Sequence, residues 1–184
     1  MMNKRKKLTQ LILFAMYGAM MFISKLMMEG IPNIHPLTMF IMTFSIVYGL
    51  KALIPVYIYV FLNGLFAGFD MWWFPYLYIW ALQCIITCFI KFMITRFLPE
   101  KAKLPVSAVV YPVTAALLGL TFGVLYAPAQ AVMMGFNFSM TIKWIITGLY
   151  FDALHCAGNF CIGLLILPMS QLLRKLHEAT RVPV

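Results

Sequence analysis

The chain has 184 residues, of which 64% are hydrophobic and only 10% charged. A soluble domain of this size has no core large enough to hide so much apolar surface, so lipid must be its main solvent. In that setting the formal charge of +9 no longer argues for nucleic acid, because the positions of cations in a membrane protein carry more than their sum.

Six apolar segments follow one another, at roughly 8–28, 36–50, 52–68, 74–95, 106–125 and 142–168. They fill most of the chain and predict an all-α integral membrane protein: one domain over 1–184, a bundle of six transmembrane helices, a basic N-terminal tail 1–7 and a C-terminal tail 169–184. The first segment follows basic residues as a signal peptide would, but it is long and no small-residue cleavage site follows, so it is read as a retained helix. It contains Ala15 and Ala19, an A-x-x-x-A with Gly18 beside it. Small residues four apart let another helix approach closely, either within the monomer or from a partner.

The second and third segments are shorter than the roughly 20 residues a straight span needs. Thin spans, tilted partners and a re-entrant hairpin all fit. Lys51 between them, with Pro55 following, favours a tight bend and two short passes. In the first outer loop, 29–35, Lys25 and Glu29 read as a surface pair and His35 as a solvated loop histidine rather than a lid. The second, 69–73, carries Trp72 and Trp73, either interfacial anchors or a stacking surface. The third is expected at 126–141, and an inner loop at 96–103.

Charge sets the orientation. With the N-terminus inside, Lys4, Arg5, Lys6, Lys7, Lys51, Lys91, Arg96, Lys101, Lys103, Arg174, Lys175 and Arg181 fall on the cytoplasmic side, leaving only Lys25 and Lys143 of the 14 basic residues near the outer face. Both termini are then cytoplasmic. Cys84, Cys88, Cys156 and Cys161 all lie in apolar segments, where thiols pack as small hydrophobes, and neither a disulfide framework nor a metal site is expected.

In the fourth segment Tyr76, Trp80 and Gln83 are spaced four and three and share a face. In the fifth, Ala115, Gly119 and Gly123 form a small-residue ladder suited to internal packing. The sharpest pattern is in the sixth, where Asp152, His155 and Asn159 share one helix face that Gly148 and Gly163 extend. An acid, an imidazole and an amide in hydrocarbon cost several kcal/mol each unless they meet partners or a cavity. Two accounts stay open: a binding pocket, or a hydrogen-bond cluster that locks helices. Asp152 lies about 15 Å below the start of its helix, a depth suited to a pocket that opens outward. Its charge either favours a cationic ligand or is held by His155.

Length, six helices with both ends inside, the early A-x-x-x-A and a polar last helix together resemble the substrate-binding S-component of energy-coupling-factor (ECF) transporters. The resemblance spans nearly the whole chain, and the Phe151-Asp152-x-x-His155-x-x-x-Asn159 run looks like a pattern found in S-components of poorly defined substrate. It implies a plasma-membrane protein that is not an enzyme and carries no cofactor. Such a protein captures a vitamin or vitamin precursor under outer loops that act as lids. A transmembrane T-subunit and two ATPase subunits then drive import, with Ala15 and Ala19 on the T-subunit. The absence of a G-x-x-x-x-G-K-[ST] loop from this chain agrees with energy supplied elsewhere. The expected pocket comprises Asp152, His155 and Asn159 with Trp72, Trp73, Tyr76, Trp80, Gln83, Tyr126 and Gln130, whose rings would sandwich a heteroaromatic ligand of thiamine-like, pyrimidine-like or cobamide-precursor type. Two rivals are a self-sufficient proton-coupled transporter using Asp152 and His155, and a membrane hydrolase, which lacks a serine nucleophile on the same stripe.

Overall fold

A computed structural model describes residues 4–31 and 33–180. Pro32, Arg181 and the outermost residues of both tails lie outside the described residues. Among the described residues all regular structure is helical, as expected where no water is present to satisfy backbone groups. The helices are α1 (Lys4–Met27), α2 (Leu37–Tyr48), α3 (Leu53–Ala67), α4 (Tyr76–Phe97), α5 (Glu100–Leu120), α6 (Phe122–Met134), α7 (Phe138–Gly163) and α8 (Ile166–Thr180). Five stretches among the described residues are long and apolar enough to cross a membrane: Leu8–Met27, Leu37–Ala67, Met71–Phe97, Glu100–Met134 and Phe138–Gly163. Large apolar side chains such as Leu8, Ile12, Phe89 and Val109 stand exposed around the bundle, as they do on a lipid-facing surface.

The stretch Leu37–Ala67 reverses direction. Phe14 meets Tyr48 at 5.2 Å while Tyr17, one turn later, stacks on Phe44 at 4.5 Å, so α2 returns antiparallel to α1. A 3-10 turn at Gly49–Ala52 follows. Beyond it α3 runs in the same direction as α1, with Gly18 against Ile58 and the Lys25 Nζ donating to Asn63 Oδ1 at 3.0 Å. Every residue of α2 is buried. At 12 residues it is about 18 Å long, too short for a hydrocarbon core of about 30 Å. An apolar helix without a polar face buries its whole circumference, so the second segment is the axis of the bundle rather than a lipid-facing span.

Two expected loops and the C-terminal tail are more helical than the sequence indicates. Most of 126–141 is helical: Ala127 to Met134 continue α6, the chain turns at Gly135 with φ of 66°, and Asn137 Oδ1 caps α7 by accepting from the Met140 N–H at 2.9 Å. Residues 96–103 are likewise divided between the last turn of α4 and the first turn of α5, with the break at Leu98 and Pro99. The C-terminal tail is helical as α8, which buries Ile166, Ser170 and Leu173. In the two loops helix-forming residues extend an element past its apolar stretch until Gly135 or Pro99 interrupts it.

The closest helix pair is α5 and α7, running antiparallel. A Cβ on Gly119 would come within 2.8 Å of the His155 carbonyl oxygen, and one on Gly163 within 3.0 Å of the Pro112 Cα. The Ala115, Gly119 and Gly123 ladder therefore receives the polar face of α7, and the lack of side chains is what lets the backbones approach.

Candidate functional site

The polar face of α7 divides into two parts. At its inner end the Asn159 Nδ2 donates to the Ala115 carbonyl at 3.2 Å and to the Thr38 Oγ1 at 3.3 Å. This amide ties α7 to α5 and α2 and is not part of the cleft beside Asp152. The chain breaks between α5 and α6 at Thr121, and there Asp152 Oδ1 accepts the Gly123 N–H at 3.0 Å. A carboxylate at the first turn of a helix satisfies an otherwise orphaned donor and suits the positive end of the dipole. The other oxygen, Oδ2, is buried without a protein partner.

Asp152 and His155 border a cleft of about 480 Å³ with Phe122, Tyr126, Gln130 and Trp144. Asp152 is held by the Gly123 amide and not by His155, whose ring lies edge-on to Phe122 at 5.0 Å and to His35 at 5.5 Å. The Nδ1 atoms of His155 and His35 are both buried without partners. His35 thus turns inward from its loop instead of standing in solvent. Burial, with the positive charge of Lys25 adding to it, pushes the His35 imidazole down to about 4.

Ring contacts lead from the cleft into the bundle. Phe122 meets Trp80 at 5.6 Å, Trp80 meets Tyr59 at 6.4 Å, and on the other side Trp80 meets Tyr76 at 5.2 Å and Tyr76 meets Trp72 at 5.4 Å. Along this path the Trp80 Nε1, Tyr59 hydroxyl and Gln83 Oε1 are buried and unpartnered, as is the Asn63 Nδ2 on α3. Leaving a buried polar atom unpaired costs about 1–3 kcal/mol. A run of such atoms supplied by α3, α4, α7 and the loop before α2 is an array of hydrogen-bonding groups that water or a bound molecule can satisfy.

Of the residues expected to form a pocket, Asp152, His155, Tyr126 and Gln130 come together at the cleft, and Tyr76, Trp80 and Gln83 form the inner cluster. Trp72 joins through Tyr76 and through its carbonyl, which accepts the Tyr126 hydroxyl at 3.0 Å. Trp73 goes elsewhere: its Nε1 donates to the Val60 carbonyl at 2.8 Å and its ring abuts Phe69, wedging the turn against α3. Lys25, expected to face Glu29 at the surface, bonds instead to Asn63. Trp144, Phe122, Tyr59 and Asn63 were not singled out from sequence. Trp144 was within reach: it lies four residues before Gly148 on the stripe of Asp152 and stacks on Tyr126 at 5.9 Å. Tyr59 and Asn63 sit in an apolar run whose periodicity does not mark an inward face.

Among the described residues no three His, Cys, Asp or Glu side chains converge as metal ligands. The site therefore offers one carboxylate, neutral hydrogen-bonding groups and ring faces, a set suited to holding a flat polar molecule. No protein-family model, curated protein or solved structure matches this chain.

Proposed function

We propose that the chain captures a small vitamin-like molecule at an outward-facing pocket and imports it as the S-component of an ECF transporter. The observation that carries this reading is the run of buried, unpartnered polar atoms, from Asp152 Oδ2 through His155 and His35 to Trp80, Tyr59 and Gln83, strung along aromatic rings and reaching the open cleft. The ligand is a flat heteroaromatic whose nitrogens and hydroxyls complete these bonds. With one carboxylate oxygen unpaired and no Lys or Arg among the described residues lining the cleft, a positively charged ring is favoured.

In this reading the chain makes six passes of the plasma membrane with both termini cytoplasmic. The reversal at Gly49–Ala52 supports counting α2 and α3 as separate passes, α2 being a short one at the bundle axis, where neighbouring helices and not lipid surround it, and the distribution of basic residues supports the orientation. The protein catalyses no reaction and needs no cofactor. Energy comes from a separate T-subunit and two ATPase subunits. Ala15 is exposed on α1 beside exposed Leu11, Ile12 and Met16, while Ala19 is half-buried on the same face. The shallow notch they leave suits a partner helix.

Isothermal calorimetry of the purified chain against a panel of vitamins and their precursors tests the reading. A ligand bound with a stoichiometry of one, weakened in His155→Ala while the protein stays folded, is expected. Binding of no panel member, together with uptake by the chain alone in proteoliposomes under a proton gradient, would show a self-sufficient transporter instead.

A further inference from the structure

At the end of the bundle away from Asp152, the last turns of α4 meet the start of α5 and the middle of α8 around a second recess of about 290 Å³. Three cations line it: Lys91, Lys103 and Arg174. Lys103 pairs with Glu100 on its own helix. Lys91 and Arg174 form no ion pair among the described residues. Two uncompensated cations thus share one recess, an arrangement that repels itself unless an anion enters. The buried residues Ser107 and Tyr111 bring hydroxyl groups to the same wall.

The remaining surroundings choose among anions. Leu104 and Leu167 border the recess. An adjoining hollow of about 350 Å³ shares Lys91 and Thr95 with it and is walled by Leu50 and Phe92, both exposed at the bundle surface. A cationic recess that passes through a shared lysine into an apolar hollow on the lipid-facing side matches a molecule that is phosphate at one end and hydrocarbon at the other. Arg174 offers the planar fork that grips phosphate oxygens in pairs, and Lys91 a compact charge.

We propose that this recess binds the phosphodiester headgroup of an anionic phospholipid, with Arg174 and Lys91 on the phosphate and an acyl chain over Leu50 and Phe92. The site is independent of the ligand pocket. In the orientation proposed above it opens on the cytoplasmic leaflet, where anionic lipids concentrate.

Native mass spectrometry and thermal melting of the full chain in detergent, with phosphatidylglycerol, phosphatidylcholine or inorganic phosphate added, test the proposal. Phosphatidylglycerol is expected to be retained and to raise the melting temperature, phosphatidylcholine to do neither. The preference should shrink about tenfold, the scale of lost charge-assisted contacts, in the Lys91→Gln/Arg174→Gln double variant, and persist in Lys101→Gln, which lies outside the recess. Should the double variant not fold, Arg174→Lys keeps the charge but loses the fork, and it should still weaken retention measurably. Equal retention of the two lipids, or an undiminished preference in a folded recess variant, overturns the proposal. Stabilisation by inorganic phosphate equal to that by phosphatidylglycerol overturns the lipid assignment.

Discussion

The carboxylate of Asp152 takes the Gly123 N–H, at 3.0 Å, that an unbroken helix would give to the carbonyl of Gly119. The break between α5 and α6 is therefore held by a side chain from α7, and that side chain keeps its second oxygen for the cleft. One residue joins the architecture to the chemistry, and its two oxygens can be separated by mutation.

Asp152→Asn retains a carbonyl oxygen for the Gly123 amide but loses the charge. Its melting temperature in detergent should stay within a few degrees of the parent, while affinity for a cationic ligand falls by about tenfold or more. Gly123→Ala acts the other way. A Cβ there would collide with Asp152 Oδ2, so the carboxylate must move, at a cost of about 1–3 kcal/mol. Its melting temperature should drop by several degrees. If both variants melt together with the parent, the amide contact is not what fixes this break.

His155 and Asn159 lie one turn apart on the same face and should respond oppositely. Asn159→Ala removes bonds to Ala115 and Thr38 and leaves the buried Thr38 hydroxyl without this partner, costing about 1–3 kcal/mol. Thermal unfolding should register the loss while the surviving folded protein binds ligand almost normally. His155→Ala deletes a group whose Nδ1 has no protein partner, so its melting should change little and its binding strongly. The reverse pattern would assign the locking role to the imidazole and the binding role to the amide.

The pH dependence of stability follows from His35. Its value of about 4 lies below the 6.5 of an unperturbed imidazole. Between those values the unfolded chain takes up a proton that the folded chain refuses. Stability is therefore full above pH 6.5 and declines as the pH falls towards 4. Lys25 adds to the depression by its charge, and the ring of His155 packs against the same imidazole. In His35→Gln the decline should flatten over that window. Melting curves collected from pH 7 to pH 4 check this, and an unchanged slope would locate the titration at another group.

How far the sequence anticipated the site depends on the kind of signal each residue carried. Asp152, His155 and Asn159 stood out because polar groups in hydrocarbon are costly and their spacing is helical, and they do share a face. What spacing did not contain was the division of that face, since Asn159 is sealed by Thr38, a residue 121 positions away. The helical extent of 126–134 was hidden because Pro128 and the polar Gln130 imitate a loop. The second segment was ambiguous for a related reason: an apolar run without a polar face reads alike for a thin span and a buried axis, and only packing decides. Trp73 shows the limit for aromatics, since neighbouring tryptophans at one surface go to different partners, one towards Tyr76 and one into α3.

The notch on α1 gives a prediction that separates capture from import. Ala15 and Ala19 sit on the face of α1 away from Phe14, Gly18 and Met21, which are buried against the bundle. Leucine at exposed Ala15 adds bulk towards the outside, and at half-buried Ala19 mainly so, so the fold and the candidate pocket should be preserved, with melting temperature and calorimetric affinity close to the parent values. A helix that docks by close backbone approach would be held off by the added methyl groups. Loss of a complementary small-residue contact of this kind is worth about 1–3 kcal/mol, the cost of overpacking a fitted surface. On the proposed reading, co-purification of a T-subunit and its ATPases should fall accordingly, and cellular uptake with it. Undiminished uptake by the double variant, with subunits still recovered in the parent ratio, would mean that this face of α1 meets only lipid and that any energising partner binds elsewhere on the bundle.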